Sequence, residues 1–183
     1  MKTLIFNGSP RKNGNTAALI QALSERLGGE IKVVRAYDCD VRPCIDCRYC
    51  WKNRGCSIKD GMQEIYKDID EADNIVIASP VNFSELTGQL LAVLSRLQTY
   101  WCAKYLRKEE PVSKPKRAGV ILVRGGSGPQ KLNAIDTAKM ILGDISATVC
   151  GVVVAENSDA VPSVQQEGVL EAIYALADAL KQG

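Results

Sequence analysis

Apolar residues fall into five short runs, at 3–7, 31–37, 74–79, 118–123 and 148–155, each rich in Val and Ile. Runs of this length and composition predict strands buried on both faces. The stretches between them carry apolar residues at helical spacing instead. Leu19, Ile20, Leu23 and Leu27 make one face of a helix over 15–27 that stops at Gly28-Gly29, a C-terminal glycine signal. Asp60 is placed to cap a second helix whose inner face is Met62, Ile65 and Ile69. A third starts near Leu86 and turns Leu90, Leu94 and Leu97 inward, and the charged segment 107–116, with two prolines, then reads as a surface connection. The segments 131–142 and 164–180 supply the last two helices.

Strand and helix patterns alternate without an internal repeat, a low-complexity tract or a linker, which predicts a parallel sheet with helices on both faces. Five strands in this sequence suit a doubly wound α/β sheet of order 2-1-3-4-5 better than a six-stranded dinucleotide fold. At 183 residues, with 46% hydrophobic residues, the expectation is one domain over 1–183 with a cysteine-rich insertion at 43–57. Sheets of this kind bind ligands outside the carboxyl ends of their strands, where the strand order reverses. The loops that matter therefore follow Asn7, Ser79 and Arg124.

Composition narrows the chemistry. The net charge is +2 and the charges are scattered, so no basic stripe marks a nucleic-acid or membrane surface. The apolar run at the N-terminus is too short for a secretion signal, and no stretch reaches the roughly 20 apolar residues of a membrane span. A cytoplasmic protein is expected. Histidine is absent, which removes Ser-His-Asp and Cys-His nucleophile systems, histidine zinc sites and the commonest general base. No side chain is assigned a catalytic role, and difficult chemistry here needs a borrowed cofactor.

The first of the three loops supplies a place for one. A phosphate at a helix start is stabilised by free backbone N–H groups, the positive end of the helix dipole, short polar side chains and a cation. Gly8-Ser9-Pro10-Arg11-Lys12-Asn13-Gly14-Asn15-Thr16 offers all of these. Ser9, Asn13, Asn15 and Thr16 are donors, Gly14 permits close backbone approach, and Arg11 or Lys12 supplies positive charge. The alternative is a glycine-containing turn capped by Asn. Two rival phosphate motifs fail: the dinucleotide pattern G-x-G-x-x-G is absent, and the nucleoside-triphosphate loop needs one residue fewer and a lysine where Asn15 stands.

With S-P-V-N-F closing the third strand, this loop resembles that of the NADPH-dependent FMN reductase family of flavodoxin-like proteins, and the resemblance runs over essentially the whole chain. It implies a flavodoxin-like fold and FMN held by its phosphate at Ser9, Arg11, Asn13, Asn15 and Thr16. Pro80, Val81, Asn82 and Phe83 match the segment beside the isoalloxazine ring, although Asn82 stands where many members carry an aromatic residue. Gly125, Gly126 and Ser127 correspond to the third flavin loop, whose glycines let backbone N–H groups approach the ring's pyrimidine edge. The implied activity is an oxidoreductase in which FMN takes electrons from NADPH or NADH and passes them to a small-molecule acceptor or a redox protein. A non-enzymatic electron carrier is the rival class.

Seven cysteines, an odd number, argue against a disulfide framework and for metal or redox chemistry. Cys44, Cys47, Cys50 and Cys56 form C-x2-C-x2-C-x5-C, a spacing that suits one [4Fe–4S] cluster, with zinc and free or disulfide-forming thiols as the alternatives. Together with the flavin loop, the pattern resembles the iron–sulfur flavoproteins. Because the segment leaves the carboxyl end of the second strand, thiols and flavin are expected on one edge of the sheet. Cys39, Cys102 and Cys150 lack partners at ligand spacing, and Cys150 reads as a small core residue. Trp51, Tyr100, Trp101 and Tyr105 are candidates for the interface of a homodimer or homotetramer, for the core, or for a flavin cover.

Overall fold

Each apolar run becomes a strand of a single parallel sheet. The computed structural model describes residues 1–128 and 130–182. In chain order the strands are β1 (Lys2–Asn7), β2 (Glu30–Arg35), β3 (Asn74–Asn82), the two-residue β4 (Glu85–Leu86), β5 (Lys116–Val123) and β6 (Ala147–Ala155). The sheet runs β2-β1-β3-β5-β6, all parallel, and β4 pairs antiparallel with the end of β3. Leaving the small β4 aside, this is the expected 2-1-3-4-5 order.

The helices are α1 (Asn15–Leu27), the short α2 (Tyr49–Lys52), α3 (Met62–Glu71), α4 (Gly88–Leu94), α5 (Gln98–Trp101), α6 (Asn133–Asp144) and α7 (Val169–Lys181). Successive side chains of a strand point to opposite faces, and the core divides accordingly. Ile5, Val76, Ile121 and Val153 pack with Leu19 and Leu23 of α1 and with Ile173 and Leu176 of α7. Leu4, Phe6, Ile75, Ile77, Val120 and Leu122 pack on the other face with Met62 and Ile65 of α3, Leu90 and Leu94 of α4 and Leu142 of α6.

Several boundaries differ from the sequence expectation, each for a local reason. β2 is an edge strand, so it is not buried on both faces: Val33 is 41% exposed, and the strand stops at Arg35, leaving Tyr37 in a turn. The third helix starts at Gly88 because Glu85 and Leu86 are taken by β4. It is also not one α-helix. α4 passes through a 3₁₀ turn at Ser95–Leu97 into α5 and then into a π-helical turn at Cys102–Arg107. Leu90, Leu94 and Leu97 are nevertheless all buried. The last helix begins at Val169, after a separate 3₁₀ turn at Ser163–Gln165 and a left-handed Gly168 with φ of 76°.

Gly8 sets how closely β1, β3 and α4 meet. Its N–H donates to the Ala78 carbonyl at 2.8 Å and its own carbonyl accepts from the Thr87 hydroxyl at 2.8 Å. A methyl group at this position would lie 2.7 to 2.8 Å from Leu90 Cδ2, Ser79 Oγ and Thr87 Oγ1, so only glycine lets the chain turn here into the loop that follows.

Candidate functional site

The strand order reverses between β1, whose successor β2 lies on one side, and β3, which lies on the other. A cleft open to solvent sits at this point. Four segments build its walls. Ser9, Pro10, Arg11, Gly14, Asn15 and Thr16 come from the loop between β1 and α1. Pro80, Asn82 and Thr87 come from the end of β3 and the start of α4, Val123 and Gly125 from the end of β5 and the loop after it, and Ser158 and Asp159 from the loop after β6.

The first turn of α1 brings backbone N–H groups that precede any intrahelical acceptor, together with the positive end of the helix dipole. Ser9 and Thr16 are buried, while Arg11, Lys12 and Asn13 are exposed. Ser9 is positioned by its neighbours: its N–H donates to Asn7 Oδ1 at 2.8 Å, and its hydroxyl accepts the Arg11 N–H at 3.2 Å. Asn15 is engaged at both ends of its carboxamide. Its Oδ1 accepts the Ser163 N–H at 2.9 Å and its Nδ2 donates to the Ser158 carbonyl at 3.2 Å. This side chain, one of the expected phosphate donors, therefore ties the loop after β6 to the loop after β1. Asn13 is not among the cleft-lining residues.

At the second loop, Pro80 and Asn82 line the cleft, whereas Val81 pairs with Leu86 across β3 and β4. Phe83 and Ser84 connect the two strands with φ of 50° and 65°. Two successive left-handed residues make a tight hairpin turn of the kind usually given to Asn-Gly, and Phe is an unusual occupant. The Phe83 ring projects fully into solvent instead of lining the cleft. At the third loop Gly125 lines the cleft, and Gly126 and Ser127 are exposed beyond it. A Cβ on Gly125 would lie 2.2 Å from the Asp159 carboxylate, so the glycine here accommodates that side chain, and Asp159 N–H donates to the Gly125 carbonyl at 3.3 Å. Thr87, Ser158 and Asp159 join the lining without any spacing signal in the sequence: two lie in the loop after β6, and Thr87 enters with the β4 hairpin.

The cysteine segment is a separate construction. Both of its ends are held by one buried ion pair: Arg96 Nη1 lies 2.7 Å from Asp60 Oδ2, with side chains 0% and 4% exposed. Arg96 also donates to the Arg42 carbonyl at 2.9 Å and to the Ile58 carbonyl at 3.1 Å. Asp60 in turn accepts the Arg42 N–H at 3.0 Å and, as the start of α3 was expected to show, the Met62 N–H at 3.1 Å. Between these ends the segment lies along α5 and the 3₁₀ and π-helical turns that flank it. Cys44 N–H donates to Ser95 Oγ at 3.0 Å, Thr99 Oγ1 donates to the Gly55 carbonyl at 3.0 Å, and Arg107 donates to the Cys50 carbonyl.

Burial works to raise the Asp60 carboxyl, but the Arg96 guanidinium and the two N–H donors outweigh it and hold the group below the usual carboxylate range. The sign for stability follows directly. A carboxyl depressed in the folded state contributes stability above its unfolded value of about 3.9, and loses it as pH falls through the lower folded value. Urea unfolding below pH 4 is therefore expected to show an acid limb that an Asp60→Asn variant flattens. An unchanged limb in that variant means Asp60 is not the group responsible.

The four clustered thiols do not converge. Cys44 and Cys47 are exposed, and Cys50 and Cys56 are half-buried. Cys47 Sγ lies 3.2 Å from Ser57 Oγ, a hydrogen bond that lowers its thiol below the ordinary range. Cys50 Sγ lies 3.5 Å from Cys102 Sγ, and burial together with that neighbour pushes the Cys50 thiol up to about 12. Among the described residues no three His, Cys, Asp or Glu side chains come together as a metal site. In this arrangement the residues do not fit a [4Fe–4S] cluster. None of the four clustered cysteines is among the residues that line the cleft.

Cys102 is buried, Cys39 half-buried, and Cys150 only half-buried because β6 is the other edge strand. Among the aromatics, Tyr100 belongs to the core, edge-on to Tyr66 at 5.8 Å, while Trp51 and Tyr105 are exposed.

A doubly wound sheet with a helix-start loop facing a cleft at its switch point defines a flavodoxin-like protein with a site suited to a nucleotide phosphate. The chain belongs to the NADPH-dependent FMN reductase family, whose model matches residues 1–159. It is 37% identical over 100 residues to the iron-sulfur flavoprotein MJ1083 of Methanocaldococcus jannaschii, covering 52% of this chain and 51% of that one. It is 34% identical over 130 residues to an iron-sulfur flavoprotein of Methanosarcina thermophila, covering 69% and 64%. The match thus spans about half to two thirds of the length of these curated relatives. Among solved structures, an NAD(P)H:quinone oxidoreductase from Methanothermobacter marburgensis superposes with a TM-score of 0.71 over 100% of this chain and 99% of that one. At 17% identity this is a likeness of fold. Among the described residues no helix is long and apolar enough to cross a membrane.

Proposed function

We propose that the protein is an FMN-dependent oxidoreductase that takes electrons from NADPH or NADH and passes them to a small-molecule acceptor or a redox protein. The observation that carries this reading is the cleft at the β1 and β3 switch point, with the first turn of α1 as its floor. Its residues fit FMN: the N–H groups and dipole of α1, the hydroxyls of Ser9 and Thr16 and the Arg11 guanidinium receive the phosphate. Gly14 leaves the backbone open to it, with Lys12 and Asn13 at the rim. Pro80 and Asn82 face the ring and Gly125 its pyrimidine edge, with Val81, Phe83, Gly126 and Ser127 outside the cleft lining. When bound, FMN supplies hydride and electron transfer, which no side chain of this chain supplies. The protein positions it.

Reduction by a nicotinamide is tested by mixing the FMN-loaded protein with NADPH or NADH in a stopped-flow instrument. Bleaching of the flavin absorbance by either is expected. No bleaching with both contradicts the reductase reading and favours an electron carrier.

A [4Fe–4S] cluster on Cys44, Cys47, Cys50 and Cys56 is supported by their spacing and by the names of the relatives. A reductase without a cluster is supported by the thiol geometry, because Cys50 must leave Cys102, and Cys47 must leave Ser57, before four thiols meet. Metal and flavin analysis of protein purified without oxygen separates the two: about four irons per chain with FMN for the first, FMN alone for the second.

A further inference from the structure

We propose that Asn15 is a positioning residue through which a phosphate held at the start of α1 orders the glycine loop after β5, so that the phosphate and the ring of FMN bind cooperatively. This rests on the reading of the cleft as a flavin site. Asn15 is the first residue of α1, and its backbone N–H belongs to the turn offered to the phosphate. Its side chain is occupied elsewhere: Oδ1 accepts the Ser163 N–H at 2.9 Å and Nδ2 donates to the Ser158 carbonyl at 3.2 Å. The loop after β6, so held, continues the connection to the loop after β5. The N–H groups of Asn157, Ser158 and Asp159 donate to the carbonyls of Gly126, Arg124 and Gly125 at 3.1, 3.1 and 3.3 Å. Arg124 fastens the same loop from inside, its nearly buried guanidinium donating to the Gly128 carbonyl at 2.6 Å and pairing with Glu156.

The link between the two ends is conformational entropy. Gly125, Gly126 and Gly128 have the most backbone freedom to lose, and they lie outside every strand and helix, so the place of their loop is set by the bonds just described. A phosphate bound to the first turn of α1 fixes Asn15, and through its carboxamide the loop after β6 and the carbonyls of Arg124, Gly125 and Gly126. A ring that then docks at Gly125 meets a loop already ordered, and it binds more tightly without any change of shape. Linkage makes the effect reciprocal: a ring ligand raises the affinity for phosphate by the same factor.

Inorganic phosphate and riboflavin are the two halves of FMN as separate probes. Flavin-free protein is titrated with riboflavin, followed by fluorescence, in phosphate and in chloride of equal ionic strength, and amide hydrogen exchange is measured alongside. In the native protein phosphate is expected to slow exchange at 9–16 and also at 157–159, and to tighten riboflavin binding about tenfold, within the usual range of coupling between sites. In Asn15→Ala phosphate is expected still to protect 9–16, while 157–159 and the riboflavin affinity no longer respond. Asn15→Ser, which keeps a polar group at this half-buried position but is too short to bridge both partners, is expected to behave the same way. A residue that only stabilised the fold would lower affinity in the variants and leave the phosphate effect in place, so the coupling factor is the readout. Protection confined to 9–16 in the native protein, with riboflavin affinity unchanged, overturns the proposal and leaves the phosphate site standing. Coupling that survives in both variants overturns it too. No protection of 9–16 and no binding of FMN overturn the reading of the cleft, and the proposal with it.

Discussion

An Arg96→Met variant is expected to lose about 3–5 kcal/mol of unfolding free energy, the cost of leaving a buried carboxylate without its partner. Methionine keeps most of the side-chain volume, so the loss reads the charge and the hydrogen bonds and not a cavity. The removed guanidinium faces Asp60 and the carbonyls of Arg42 and Ile58, so one substitution frees three acceptors at the base of the segment. Melting the variant in urea measures the first effect. Hydrogen exchange or limited proteolysis at Arg48 and Arg54 measures the second, and cleavage there is expected to outpace that in the native protein. A fall in stability below about 1 kcal/mol, or unchanged cleavage, means the segment is held by its other contacts. The double change Asp60→Leu with Arg96→Met is the informative companion, since replacing both partners by apolar groups removes the unpaired charge and restores part of the loss.

Combining Ser9→Ala with Thr16→Val is expected to weaken FMN binding by at least about a hundredfold, since a hydrogen bond to a charged acceptor contributes about 1.5–3 kcal/mol. Both residues line the cleft and both are buried, at 3% and 2% exposure, so their hydroxyls act where water competes least. Valine preserves the shape of threonine, and the Ser9 N–H keeps its bond to Asn7 in the alanine variant. Quenching of flavin fluorescence on titrating the flavin-free variant gives the dissociation constant directly. Affinity equal to that of the native protein means the phosphate lies elsewhere.

The fold was legible because its signals are local and mutually consistent. Val and Ile runs name the strands, Leu19, Leu23 and Leu27 name α1, and alternation names the parallel sheet with its order. What escaped the sequence depends on contacts between distant segments. Nothing at Arg96 distinguishes it from a surface arginine on a helix until the chain folds Asp60 against it. Cys102 lacks a neighbour at ligand spacing, and its partner Cys50 lies 52 residues away. The exposure of β2 follows from its place at the edge, which the charges of Glu30, Lys32 and Arg35 already mark. The Phe83-Ser84 turn escaped because it carries neither Gly nor Asn, the residues that normally mark left-handed backbone.

The cleft was legible for a different reason: the switch-point rule locates it from strand order alone, and eight of the thirteen expected flavin contacts line it, namely Ser9, Arg11, Gly14, Asn15, Thr16, Pro80, Asn82 and Gly125. Asn15 shows the limit of reading donors from residue type, because a side chain able to bind phosphate is equally able to bind the backbone of Ser158 and Ser163. Topology likewise gave the starting edge of the cysteine segment but not its course along α5 and the turns that flank it.

The phosphate loop itself is tested most directly by comparing FMN with riboflavin, which differ in the phosphate alone. Titrated into flavin-free protein and followed by fluorescence, FMN is expected to bind at one per chain and riboflavin at least about a hundredfold more weakly, as the loss of several hydrogen bonds to a charged group requires. Equal affinities, or no binding of FMN, would contradict a phosphate site at Gly8 to Thr16.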